Sequence, residues 1–144
     1  MATHTTNYVD TFIAVAPDST VTAATEPPAG DNPSVAARTW ALIQAAPYTL
    51  TSDDVIFTVW ADRRGVEADQ RVAARAEFFS KGQACLRASD LGKRYGWGVH
   101  SDAQGRVALY GVGTPEYEAF AAGVSPLDGA PVQVKQAMRG SRAR

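Results

Sequence analysis

The chain has 144 residues, of which 45% are hydrophobic and 20% charged, and its formal net charge is −1. That is the length of one domain, able to bury roughly 70% of the surface of its unfolded form, and the composition is that of a globular protein rather than a disordered one. One cysteine closes no internal disulfide, and with two histidines it falls short of a zinc pattern, so neither a structural metal nor a cofactor is expected.

The charge is unevenly spread. Residues 1–62 hold one cation, Arg38, against seven acids, whereas residues 63–144 hold thirteen cations against eight acids. Either the two halves neutralise each other in the fold, or the second half carries a basic face. No run approaches the roughly 18 apolar residues of a membrane span, and the first twenty residues lack the basic start and apolar core of a secretory signal. The expected location is the cytoplasm.

In chain order, residues 8–15 are apolar on both alternating faces, which predicts a strand buried on two sides. Residues 17–33, with Pro27 and Pro28 adjacent, predict a long irregular loop of the length used for lids. Asn32 and Pro33 open a helix over 33–45 that Pro47 ends, with Ala36, Trp40 and Ile43 on its buried stripe. The β-branched and aromatic run at 51–63 predicts a central strand, Val55, Phe57 and Val59 on one face and Ile56 and Trp60 on the other. Asp53 and Asp54 would then lie in the loop before it, on opposite sides of the chain.

Residues 67–81 predict a helix with Val72, Ala76 and Phe79 inward, Gly82 at its end, and the pairs Glu67 with Arg71 and Glu77 with Lys81 outward. Residues 83–89 predict a short strand in which Cys85 and Arg87 share a face. The compact loop 102–105, ending in Gly105, predicts a hairpin of 97–101 with 106–112, Trp97 and Tyr110 being cross-strand neighbours. His100 falls opposite in parity to Trp97 and Val99, toward the solvent face. Gly96 and Gly98 would permit a tight turn into Trp97. Thr114 and Pro115 start a last helix with Tyr117 and Phe120 inward.

The element order predicts a single compact α+β domain over 1–125, with a mostly antiparallel or mixed sheet and about three helices packed on it. Residues 126–144 read as a loosely packed tail whose end, with Lys135, Arg139, Arg142 and Arg144, is basic.

Candidate chemistry gathers in 78–100, which holds the sole cysteine, four Lys/Arg, four aromatics and one acid, Asp90. Cys85 is the candidate nucleophile, since a neighbouring Lys81 or Arg87 would favour its thiolate, and His100 the candidate base. The alternative for Cys85 is a small packed side chain. Lys81, Arg87, Lys93, Arg94 and Tyr95 are the candidate ligand-binding set, cations for phosphate and an aromatic face for a base, although Gly92, Gly96 and Gly98 form no phosphate-cradling motif.

The segments HTTNYVDTFIAVAPD, PYTLTSDDVIF, FFSKGQACLRASDLGKRYGWGVH, GRVALYGVGTPEYEAF and VKQAMR resemble a family of small uncharacterised bacterial proteins classed as a domain of unknown function, family 6157. The resemblance spans almost the whole chain and implies one complete domain; it supplies no activity, cofactor or catalytic residue. More faintly, the KRYGW run followed by a hairpin and a short helix is similar to the MmcQ/YjbR-like proteins, which implies a compact fold described as DNA-binding. Three functional readings follow: a binding protein for an anionic small molecule or nucleic acid, a small enzyme using Cys85 and His100, and a protein-interaction module, with a homo-oligomer compatible with each.

Overall fold

Among residues 3–140, which the computed structural model describes, the apolar run at 8–15 yields β1 (Thr11–Ala14), all four of whose residues are buried. The predicted hairpin forms as β2 (Trp97–Ser101) and β3 (Val107–Gly111), and Gly105 takes the positive φ, 78°, that its turn demands. A fourth strand, β4 (Gln133–Gln136), completes a mixed sheet in the order β3-β2-β1-β4. β1 is antiparallel to β2 and parallel to β4. The segment that reads as a loose tail thus supplies a strand, and Ala137 behind it is buried. Ser141–Arg144, with the tail cations Arg142 and Arg144, lie outside the described residues.

Two further readings are corrected. The run 51–63 is a helix, α2 (Ser52–Arg64), following α1 (Val35–Ala45). Thr51 and Asp54 form a reciprocal capping box, the acids Asp53 and Asp54 occupy the first turn and the cations Arg63 and Arg64 the last, so side chains satisfy orphan amides and complement the helix dipole at both ends. Burial pushes the Asp54 carboxyl up, but bonds from the Thr51 amide and hydroxyl and from Arg75 outweigh it and hold the carboxyl below its ordinary range. The helix is apolar on several sides because it is wedged between α1, the sheet and the next helix; all-round burial mimics a central strand in the sequence. The strand predicted at 83–89 is irregular, with a 3₁₀ turn at Leu86–Ala88.

The remaining helices are α3 (Arg71–Phe78), preceded by a 3₁₀ turn at Ala68–Gln70, α4 (Asp90–Lys93) and α5 (Pro115–Ala121). Five α-helices therefore stand among the described residues where about three are predicted. α3 ends at Phe78, short of Gly82, and Arg71 pairs with Asp62 rather than Glu67.

Strand parity divides the core. Ile13, Val99, Val107 and Leu109 meet Ile43 of α1, Val55 of α2 and Leu91 of α4 on one face of the sheet. Phe12 and Ala14 meet Tyr117 and Phe120 of α5 on the other. Register pairs Trp97 with Gly111 and Tyr110 with Gly98, so Trp97 and Tyr110 are on opposite faces rather than being cross-strand neighbours. Gly98 serves packing rather than a turn: a Cβ there would collide with the Phe12 ring and reach 2.9 Å from Tyr117.

The first described residues are fastened to the start of α2. The Thr5 hydroxyl and the Thr6 amide and hydroxyl all donate to the Asp53 carboxylate at 2.7 Å, and the Asp53 amide donates to Asn7 at 2.9 Å. Three bonds to one carboxylate offset the cost of burying it.

Candidate ligand-binding cleft

Helical spacing builds the walls of a cleft. Ile56, Val59, Trp60 and Arg63 recur at the three- and four-residue intervals that align side chains along one side of α2. Ala74, Glu77 and Phe78 of α3 form the second wall, continued by Lys81, while Val35 and Thr39 of α1 and the segment 83–89 close the rest. The volume is about 580 Å³, within the range of small-molecule sites. Its aromatic part is Trp60 and Phe78, whose ring centroids lie 4.9 Å apart.

The rim is cationic. Arg63, Arg64 and Lys81 line the cleft against one carboxylate, Glu77, and none of the three cations makes an ion pair among the described residues. Arg64 lies with its guanidinium carbon 4.9 Å from the centre of the Trp60 ring, within the range of a cation–π contact.

Cys85 reaches the cleft from the irregular segment and is half-buried. Its sulfur lies 3.4 Å from the Tyr8 hydroxyl. That bond and burial push the Tyr8 hydroxyl up, opposed by the charge of nearby Arg87. Cys85 and Arg87 are thus neighbours through Tyr8, not through strand alternation.

His100 is elsewhere. It pairs with Phe12 on the α5 face of the sheet, whereas Cys85 belongs to the α1 and α2 side, so the sheet separates the two. The face that parity assigns to His100 is covered rather than solvated: the residue is 5% exposed and its ring lies tilted against Phe120, centroids 4.3 Å apart. Its Nδ1 is 2.8 Å from the Tyr48 hydroxyl, which is also 2.8 Å from the Tyr110 hydroxyl. Tyr48 holds this place with φ of 58°, a strained value for a side chain of its size, fixed by its amide donating to Val107. Burial depresses the His100 pKa, against the opposing charges of Asp102, Asp10 and Asp128. Tyr48 is pushed far up by burial and by Tyr110.

The predicted ligand-binding set is dispersed. Lys81 lines the cleft; Arg87 donates to the Gln136 carbonyl at 2.8 Å, beside the sheet edge; Tyr95 packs on the core. Lys93 and Arg94 border a smaller hollow with Asp18, Ser19 and Gly140, and Arg94 stands 3.5 Å from Asp90. Arg63 and Arg64 escape a reading centred on 78–100, although their place at the end of a capped helix is a signal the sequence carries. No group of three or more His, Cys, Asp or Glu among the described residues is placed to hold a metal, and no helix there is long and apolar enough to cross a membrane.

The sequence pattern of a family of unknown function, DUF6157, matches residues 3–143. The chain belongs to that family. No curated protein and no solved structure matches it. DUF6157 membership agrees with the resemblance carried by the segments from HTTNYVD to VKQAMR; it assigns no ligand to the cleft.

Proposed function

We propose that this DUF6157 chain is a binding protein for a small amphipathic anion, a molecule with an apolar body and a carboxylate or phosphate group, held between α1, α2, α3 and residues 83–89. One observation carries the reading: a cleft of about 580 Å³ with walls of Val35, Ile56, Val59, Trp60 and Phe78 and a rim of Arg63, Arg64 and Lys81. The apolar walls favour desolvation of the body, and the cations supply charge-assisted hydrogen bonds to the head. Cys85, in the wall, serves as a reporter of occupancy.

The test is a thermal-shift panel of amphipathic carboxylates, amphipathic phosphates and single-stranded oligonucleotides, followed by Cys85 alkylation in the presence of each stabilising compound. An amphipathic anion that raises the melting temperature and slows alkylation supports the reading, since a ligand that binds only the native state stabilises by mass action. Stabilisation by oligonucleotides alone, with steep loss on adding salt, would overturn it in favour of nucleic-acid binding. A panel without any hit sinks it.

A further inference from the structure

The cations of the cleft stand at opposite ends of α2. Arg63 and Arg64 end the helix. Lys81 is at the other end, and two independent sets of contacts put it there. α2 and α3 run antiparallel, because Arg71 at the start of α3 bonds Asp62 late in α2, at 2.8 Å, while Arg75 further along α3 bonds Asp54 early in α2, at 2.9 Å. The chain leaving α3 then passes the first described residues: the His4 amide donates to the Phe79 carbonyl, Gly82 lies against the His4 ring, and the adjoining Thr5 and Thr6 are fastened to Asp53. Lys81, between Phe79 and Gly82, is therefore level with the start of α2. With a helical rise of about 1.5 Å per residue, the backbone levels of Asp53 and Arg63 are roughly 15 Å apart, and those of Asp53 and Trp60, over which Arg64 folds its guanidinium, roughly 10 Å.

Between the two ends the walls are apolar and aromatic: Ile56, Val59, Trp60, Ala74 and Phe78. A single anionic head would satisfy one end and leave the other cation facing an apolar tail. We infer that the ligand is an elongated dianion, an apolar chain or ring system with an anionic group at each end, one taken by Arg63 and Arg64 and the other by Lys81. This rests on the reading of the cleft as an anion site. The two ends are unequal. Arg64 is pre-organised on Trp60, whereas Glu77, one turn before Lys81, weakens the attraction at the far end.

Calorimetric titration of the full chain with linear dicarboxylates from succinate to dodecanedioate, the corresponding alkane diphosphonates, and the monoanion of each length tests this. The expected result is an affinity maximum at one intermediate length, where the dianion binds about tenfold or more tighter than its monoanion, the worth of one charge-assisted bond. Lys81→Ala should weaken the dianion of optimal length about tenfold more than it weakens the monoanion of that length, which removes the dianion's advantage; Lys81 is exposed, so the fold tolerates the change. Arg63→Ala should weaken both classes. Equal affinity of dianion and monoanion at every length overturns the dianion inference while leaving the anion site standing. Failure of every compound to bind, with Cys85 alkylation unslowed, overturns both.

Discussion

On the α5 side of the sheet, Phe12, Tyr117 and Phe120 close over the strands so fully that even a histidine, His100, is 5% exposed. On the other side, where α1, α2 and α3 pack, the same sheet supports a second layer that leaves about 580 Å³ open among Trp60, Phe78 and three cations, Arg63, Arg64 and Lys81, that make no ion pair among the described residues. The closed side joins Tyr48, Tyr110 and His100 internally; the open side leaves Arg63, Arg64 and Lys81 exposed at the rim of its cleft. The difference teaches where packing ends: the side chains of the first side are committed to the core, and those at the rim of the second are exposed and can change without disturbing it.

The comparison is broken most severely by Phe120→Ala. Phe120 is fully buried and stacked 5.0 Å from Phe12, so its truncation should cost about 3–5 kcal/mol in denaturant unfolding. Retention of full stability would show that α5 is not a structural lid. Next comes Tyr48→Phe, which strips the hydroxyl that serves both His100 and Tyr110. Leaving those groups short of a partner should cost about 1–3 kcal/mol, read from the urea midpoint.

Acidification probes the same place more gently. Burial lowers the folded-state pKa of His100 below the ordinary value near 6.5, so the unfolded chain binds its proton first. This contribution to stability is complete above about pH 6.5 and is lost as pH falls from there through the depressed folded-state value. Urea midpoints measured between about pH 8 and 5 should fall on the acid side for the native chain and flatten in His100→Gln. The smallest effect belongs to the open side: Arg63→Ala should change stability by less than about 0.5 kcal/mol, because the side chain is exposed and makes no ion pair among the described residues. A larger loss would mean that the rim is structural after all.

How far the sequence discloses this division depends on whether the decisive contact is local. The hairpin is legible because Asp102 to Gly105 carry their own turn chemistry; the Asp102 carboxylate accepts from the Gln104 and Arg106 amides at 2.9 Å each. The last helix is legible through Thr114 and Pro115. α2 is masked, because a helix buried on several sides loses the amphipathic period that would identify it, and its capping box is the signal that survives. The burial of His100 is invisible to parity, which assigns a face but cannot say that α5 will cover it. The cleft escapes for a related reason: Lys81 is in the conspicuous 78–100 stretch, but Arg63, Arg64 and Trp60 come from a segment whose fold had first to be read correctly. β4 is hidden because its partner β1 is more than a hundred residues away.

That last pairing also bears on how the chain acquires its shape. β1, near the start, occupies an interior position in the sheet, with β2 on one side and β4 on the other, so Thr11 finds its neighbours at Ser101 and Gln133. Neither neighbour is available until the chain has been made through Ser101, and bringing them together closes loops far longer than a hairpin's. A nascent chain must therefore hold this buried strand unpaired until Ser101 has followed it, and refolding should be governed by this distant closure rather than by its helices.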